Sequence, residues 1–298
     1  MSVLSRPPVA RLAARAMQRA TRLADRAPLH RFPEFPRRVR ALTVPNSVAA
    51  APAVAYLPAD TSAPPPVHVN LHGGGFVLGD PRWDDALCRL VAAEAGVAVV
   101  NVDYALAPRH PFPQPPQQIF EILGWIARHG AEQGWDGARI TVGGQSAGAN
   151  LAAAAARLAL ERGGPDIALQ VLHYPPLDLV TPTADKPTPL ARPALRPWMG
   201  EIFNASYVPP SQRFTDRLAS PAHPADTAAL HGIAPALVIT AEYDLLREEG
   251  VRYAERLRAA GALVELHEVA GADHGYDMAD VDRAREVYSL IAARLRDG

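Results

Sequence analysis

The sequence predicts an α/β fold in which a largely parallel sheet is covered by helices on both faces. Two observations carry this. Short β-branched runs alternate with longer segments of helical periodicity, and glycines stand where several of those segments stop. The strand candidates are Arg38 to Val44, Ala53 to Leu57, Val67 to His72, Val97 to Val102, Arg139 to Val142, Leu169 to His173, Ala236 to Thr240 and Leu263 to Val269. Helices are expected at Asp84 to Ala95, Gln114 to His129, Ala147 to Arg162, Leu246 to Ala260 and Asp280 to Arg296. Gly163 and Gly261 follow two of them, where a helix end favours a residue tolerant of left-handed backbone. The first two strands are joined by too short a link for a crossover helix and are expected to pair as a hairpin. Ahead of them, Val9, Leu12, Ala16, Met17, Ala20 and Leu23 recur at helical spacing from Val9 to Ala24, while Arg11, Arg15, Arg19 and Arg22 line another face. This reads as a basic amphipathic helix laid on the body with its arginines in water; membrane-surface attachment and a transit peptide are its other uses.

The chain has 298 residues, 48% hydrophobic and 20% charged, enough to bury a large core and far from a disordered composition. A net charge of -1 offers no attraction to a polyanion, so nucleic acid is not an expected partner. Cys88 is the only cysteine, which excludes intrachain disulfides and multi-cysteine zinc sites and fits a reducing cytoplasm. Lys186 is the sole lysine, lodged in a Pro/Thr stretch, an unpromising place for a Walker-type phosphate site or a Schiff base. No window approaches the ~18 apolar residues of a membrane span, and the start lacks a secretory signal, so stable membrane insertion is not expected. Eleven of the 30 prolines fall between Pro175 and Pro224, an irregular stretch that also carries Trp198, Phe203, Tyr207 and Phe214. A connection this long between two strands reads as part of a cap over an active site. No internal repeat is present, and Pro58 to Pro66 is a polar, proline-rich loop.

Of nine serines, only Ser146 sits between glycines at a strand-to-helix junction, in GGQSAGAN (Gly143 to Asn150). A sharp turn there strains the serine backbone and exposes its hydroxyl, while Gly144 and Gly148 leave room for neighbouring backbone. The amide of Ala147 then points to where an oxyanion would form. Taken alone, such a turn also suits simple anion binding or tight packing. Upstream, the third strand runs into HGGGF (His72 to Phe76), whose bare glycines let Gly74 and Gly75 supply two further amides. A serine hydroxyl needs a base oriented by a carboxylate. His274, in GADHGYD after the last strand, and Asp244, in ALVITAEYD after the preceding one, stand at the same sheet edge as Ser146. Asp178 and Asp277 are rival carboxylates; the first precedes the irregular insertion and the second is expected to begin the final helix. His68 and His173 read as core residues inside strands. His30, His110, His129, His223, His231 and His267 read as loop or surface positions. His267 and His274 are seven residues apart across a strand and a loop, not the helical-turn spacing of a zinc protease.

With HGGGF, DYALAPRHPFP (Asp103 to Pro113), GQSAGANLA (Gly144 to Ala152), AEYDLLREEG and DHGY in this order, the chain resembles the hormone-sensitive lipase family of α/β-hydrolases, from about Val67 onward. The resemblance implies a serine carboxylesterase with an eight-stranded, mostly parallel sheet and no cofactor. It implies one hydrolase domain over 1–298, with cap elements at about 1–36 and 176–226. It also carries nucleophile, acid and base onto Ser146, Asp244 and His274, and the oxyanion amides onto Gly74, Gly75 and Ala147. Small, short-acyl esters are the expected substrates; amide or lactone hydrolysis uses the same machinery. A non-catalytic ligand-binding protein on the same scaffold is the competing class, and it has no need of serine, acid and base together. The oligomeric state is open, a homodimer included. Three positions depart from the family's pattern. Gln145 stands where an Asp usually precedes the nucleophile, and Ala105 and Arg109 replace a basic and an acidic residue.

Overall fold

The computed structural model describes residues 3–23, 31–59 and 62–297. Ala24 and His30, and residues 60 and 61 of the proline-rich loop, lie outside them. Eight strands form one sheet: β1 (Val39–Val44), β2 (Ala51–Tyr56), β3 (Pro66–Leu71), β4 (Ala98–Val102), β5 (Asp136–Gln145), β6 (Ile167–His173), β7 (Ala236–Ala241) and β8 (Leu263–Val269). Their spatial order is β1-β2-β4-β3-β5-β6-β7-β8. The first two strands pair antiparallel, Val39 opposite Tyr56, as their short link requires, and β2 is antiparallel to β4. Every later pairing is parallel, because a helix-bearing crossover separates the strands.

Helices cover both faces. On one lie α2 (Asp85–Ala95) and α7 (Val281–Asp297), packed on Val99, Val171, Leu237 and Ile239. On the other lie α3 (Gln114–His129), α4 (Ala147–Arg162) and α6 (Arg247–Ala259), packed on Val69, Val100, Val142 and Val238. Alternate strand residues thus feed two separate cores. The helix α4 is buried from Ala147 to Leu158 and is mostly alanine there, which lets it lie close to the sheet. Gly163 and Gly261 adopt left-handed φ of 62° and 72°, terminating α4 and the turn after α6.

The N-terminal helix α1 (Pro7–Leu23) buries Ala10 and Ala14 and leaves Arg11, Arg15, Arg19 and Arg22 exposed. Among the described residues no helix is long and apolar enough to cross a membrane.

The stretch between β6 and β7 is not wholly irregular. It contains α5 (Pro197–Tyr207), which packs against α1. Pro197 occupies the first turn, where a missing N–H costs nothing and a fixed φ favours the helix, and Ile202, Phe203 and Tyr207 give it a buried face. The proline density that suggests a loop is here a helix start. Asp277 likewise does not begin the final helix; it lies in a 3-10 turn, Tyr276–Met278, ahead of α7. His267 lies within β8, half-buried.

Candidate active site

Parallel strands end together, so the loops following β3, β5, β7 and β8 meet at one edge of the sheet. Ser146 follows β5 and precedes α4 with φ 50° and ψ -118°, a region a side-chain-bearing residue enters only under strain. The turn is tight because β3 crowds it. A Cβ on Gly144 would lie 2.2 Å from the Leu71 carbonyl oxygen, and one on Gly148 would lie 1.9 Å from it. The Ser146 amide donates to the His173 carbonyl (2.9 Å), fixing the turn to β6.

The imidazole of His274 reaches this hydroxyl. Its Nε2 lies 3.0 Å from Ser146 Oγ, and its Nδ1 lies 2.7 Å from Asp244 Oδ2. Asp244 is buried, and its other oxygen accepts from the Leu246 amide (3.0 Å), which fixes the carboxylate's orientation. Nδ1 facing a carboxylate carries the proton, leaving Nε2 as the acceptor for the serine. Burial pushes the His274 pKa down, but the charge of Asp244 and its hydrogen bond outweigh this and hold it above the ordinary histidine value. Tyr174, itself at φ 39°, packs its ring edge-on to the imidazole at 4.9 Å.

The glycine loop stands opposite. Gly74 and Gly75 have φ of 118° and 63°, and among the described residues neither amide has an acceptor. The Ala147 amide, at the first position of α4, has no acceptor within its own helix. A Cβ on Gly73 would lie 3.6 Å from Ser146 Cβ, so this loop passes directly over the serine.

Side chains that sequence reasoning left unassigned hold the loop. The ring of His72 stacks on Tyr104 at 4.2 Å and its Nδ1 donates to the Gly73 carbonyl (2.8 Å). The Tyr104 hydroxyl donates to the His72 carbonyl (2.8 Å). Burial holds His72 neutral, its pKa pushed down to about 4. Tyr104 belongs to the DYALAPR segment, so its presence there was the available signal.

The rival carboxylates are occupied elsewhere. Asp178 pairs with Arg252 (3.0 Å) and closes its own turn onto Thr181. Asp277 accepts from the Tyr174 and Tyr288 hydroxyls (2.8 Å each). His68 and His173 are buried in strands, their pKa values pushed down by desolvation to about 3 and about 4. His173 Nε2 meets the Tyr276 hydroxyl at 2.8 Å. Gln145 is buried with Oε1 unpartnered among the described residues. A cavity of about 690 Å³ opens over Ser146 and His274 and is walled on one side by Leu195, Met199 and Phe203 of the insertion.

This fold and this edge define an α/β-hydrolase. Residues 68–278 match the model of a family described as alpha/beta hydrolase fold. The chain belongs to that family, in agreement with the hormone-sensitive lipase resemblance of its motifs. It is 40% identical over 220 residues to the esterase LipI of Mycobacterium tuberculosis, covering 71% of this chain and 65% of that protein. It is 41% identical over 218 residues to the carboxylesterase NlhH of the same organism, covering 71% and 66%. The chain thus spans just under two thirds of the length of these relatives. Among solved structures it is similar to the hyperthermophilic esterase of Pyrobaculum calidifontis, with a TM-score of 0.81, 32% identity and 100% and 91% of the two chains covered. It is equally similar to EstE1, a thermostable carboxylesterase cloned from a metagenomic library, with a TM-score of 0.81, 32% identity and 100% and 99% covered.

Proposed function

We propose that the protein is a serine carboxylic ester hydrolase acting on small, short-acyl esters. The observation that carries this reading is the unbroken chain from Ser146 Oγ through His274 (3.0 Å) to Asp244 (2.7 Å), facing a cavity beneath unpaired glycine amides. His274 takes the Ser146 proton as the hydroxyl oxygen attacks the ester carbonyl. The carbonyl oxygen becomes an oxyanion held by the Gly74, Gly75 and Ala147 amides. On collapse His274 returns the proton to the alcohol oxygen, which leaves, and an acyl group remains on Ser146. Water, deprotonated by the same imidazole, then releases the acid and restores the serine. Asp244 keeps the ring in the required tautomer and stabilises the imidazolium.

We further read the described parts of 1–36 and 176–226 as a cap on one hydrolase domain. Support comes from the packing of α1 on α5 and from Phe203, whose ring abuts Gly75 and lines the cavity. A reducing, cytoplasmic setting goes with a lone thiol, Cys88, that is fully buried.

The test is a p-nitrophenyl ester chain-length series on wild type and Ser146→Ala. Turnover should be greatest for short acyl chains and should vanish in the variant. Comparable turnover by both proteins would remove Ser146 as nucleophile, and a preference for long-chain emulsified lipids would reject the substrate class.

A further inference from the structure

We infer that Asp84 selects the alcohol half of the ester by accepting a hydrogen bond from a hydroxyl carried on the leaving group, so that glycol-type and glycerol-type monoesters are favoured over plain alkyl esters. This rests on the hydrolase reading above and specifies its substrate.

Which wall faces the alcohol follows from proton transfer. His274 must protonate the departing oxygen, so the alcohol lies on the imidazole's side of the serine. On that side Tyr174 packs on His274 at 4.9 Å and passes its hydroxyl to Asp277, which also binds the Tyr288 hydroxyl. Asp84 lines the cavity with Asp277 and Tyr288, and its carboxyl lies within the electrostatic reach of both. Phe203 instead touches the glycine loop at Gly75, on the oxyanion side.

Asp84 occupies the N-cap position of α2, yet its side chain makes no capping bond. Its Oδ2 accepts from Asn70 Nδ2 (2.8 Å), an amide anchored in turn on Asn101 Oδ1 (3.0 Å). Its Oδ1 has no partner among the described residues. Three neighbouring side chains of this wall are engaged. Both oxygens of Asp277 hold tyrosines, Arg82 is paired with Asp80 (2.6 Å), and Arg31 is bonded to the carbonyls of Asp277 and Met278. The wall therefore offers one carboxyl oxygen that no described residue satisfies. Burial without a cationic partner pushes the Asp84 pKa up to about 7, the cost a ligand donor would relieve. The charges of Asp277 and Asp80 add to this rise, so near neutral pH Asp84 carries little fixed charge with which to hold a cation, and a neutral hydroxyl is the donor it suits.

The experiment compares kcat/KM for 2-hydroxyethyl butyrate and for its near-isostere propyl butyrate. Both give the same butyryl-enzyme, so deacylation cancels and the ratio reports the alcohol site alone. A hydroxyl entering a cavity with no acceptor loses its water without compensation, so without Asp84 the ratio should fall below one. With Asp84 it should favour the hydroxyethyl ester by about 10-fold. In Asp84→Leu it should drop to one or less. A wild-type ratio near one overturns the assignment without any variant, as does an unchanged ratio in Asp84→Leu. A stronger preference for 2-(dimethylamino)ethyl butyrate overturns the choice of a hydroxyl. Hydrolysis of p-nitrophenyl butyrate, lost in Ser146→Ala, separates the two readings. If it persists while the ratio is flat, the hydrolase stands and the Asp84 assignment fails.

Discussion

Replacing Gly75 with alanine tests whether the glycine loop acts through its backbone. Two penalties arise together. The residue sits at φ 63°, where a Cβ costs about 1 kcal/mol, and that Cβ would lie 2.2 Å from Phe203 Cδ2. Carbon atoms pack at about 3.5 to 4.0 Å, so ring or loop must yield by more than about 1 Å. The ring is buried on α5, which packs on α1, so the bare loop is the softer partner. An amide moved that far leaves the 2.7 to 3.1 Å window in which it can hold an oxyanion, and losing one such donor costs about 100 to 1000-fold in kcat. The expected outcome for Gly75→Ala is a fall of that size in kcat on p-nitrophenyl butyrate, with a much smaller change in KM and an intact circular dichroism spectrum. Gly75→Ala combined with Phe203→Ala relieves the clash and keeps only the backbone strain, so it should regain most of the lost rate. If the single variant stays within about threefold of wild type, or the folded double variant does no better than the single, Gly75 is not an oxyanion donor held in place by Phe203.

Three further outcomes follow from the site and its surroundings. The base must be neutral to act, so kcat/KM should fall on acidification; because Asp244 raises the His274 pKa, the midpoint should lie above the ordinary value near 6.5. A midpoint at or below about 6 in the pH profile would contradict this. Asp244→Asn removes the charge that raises this pKa, so the acid limb should move to lower pH while kcat drops by about 10,000-fold; a limb that stays in place would show the two groups uncoupled. Lys186→Met strands Glu249, whose carboxylate now receives the Lys186 ammonium at 2.5 Å inside the protein, and should cost about 3 to 5 kcal/mol in urea unfolding at pH 8. Glu249 already has its pKa pushed up by burial to about 7, above its unfolded value, so its stabilising contribution is lost as pH rises; the deficit of the variant should shrink at pH 5, and Lys186→Met with Glu249→Leu should recover stability.

The frame of the fold was legible because it depends on local signals. Hydrophobic runs placed all eight strands within a few residues, and the helices at Gln114–His129 and Ala147–Arg162 end where their sequence patterns end. Ser146, Asp244 and His274 could be singled out because each follows a strand at the same sheet edge within a distinctive local sequence, GGQSAGAN, ALVITAEYD and GADHGYD. What escaped were contacts set by distant chain segments. The helix α5 is stabilised by packing on α1 and by Gly200 lying against Thr183, where a Cβ would meet Oγ1 at 2.1 Å; its own sequence, rich in proline nearby, reads as a loop. The stacking of His72 on Tyr104 joins segments that share no periodicity. Asp84 reads from the sequence as the start of a helix, and only the structure shows that its carboxyl bonds to Asn70 rather than capping α2 and that the residue lines the cavity.

The insertion between β6 and β7 does more than wall the cavity. It is tied beside each of the three residues that meet at the sheet edge. Asn150, one turn beyond Ser146, donates to the carbonyls of Pro176 and Ala219 (2.7 and 2.9 Å). The Thr188 hydroxyl donates to the carbonyl of Tyr243, next to Asp244 (2.8 Å), and the Ala194 amide donates to Asp273, next to His274 (2.6 Å). The three residues at these strand ends are buried or half-buried, but each turn by itself restrains only its own neighbours. Three independent ties to one segment convert them into a single unit, because a shift of any loop must stretch a bond that also restrains the others. The serine, carboxylate and imidazole are thus held in register partly by a stretch of chain that contributes none of them.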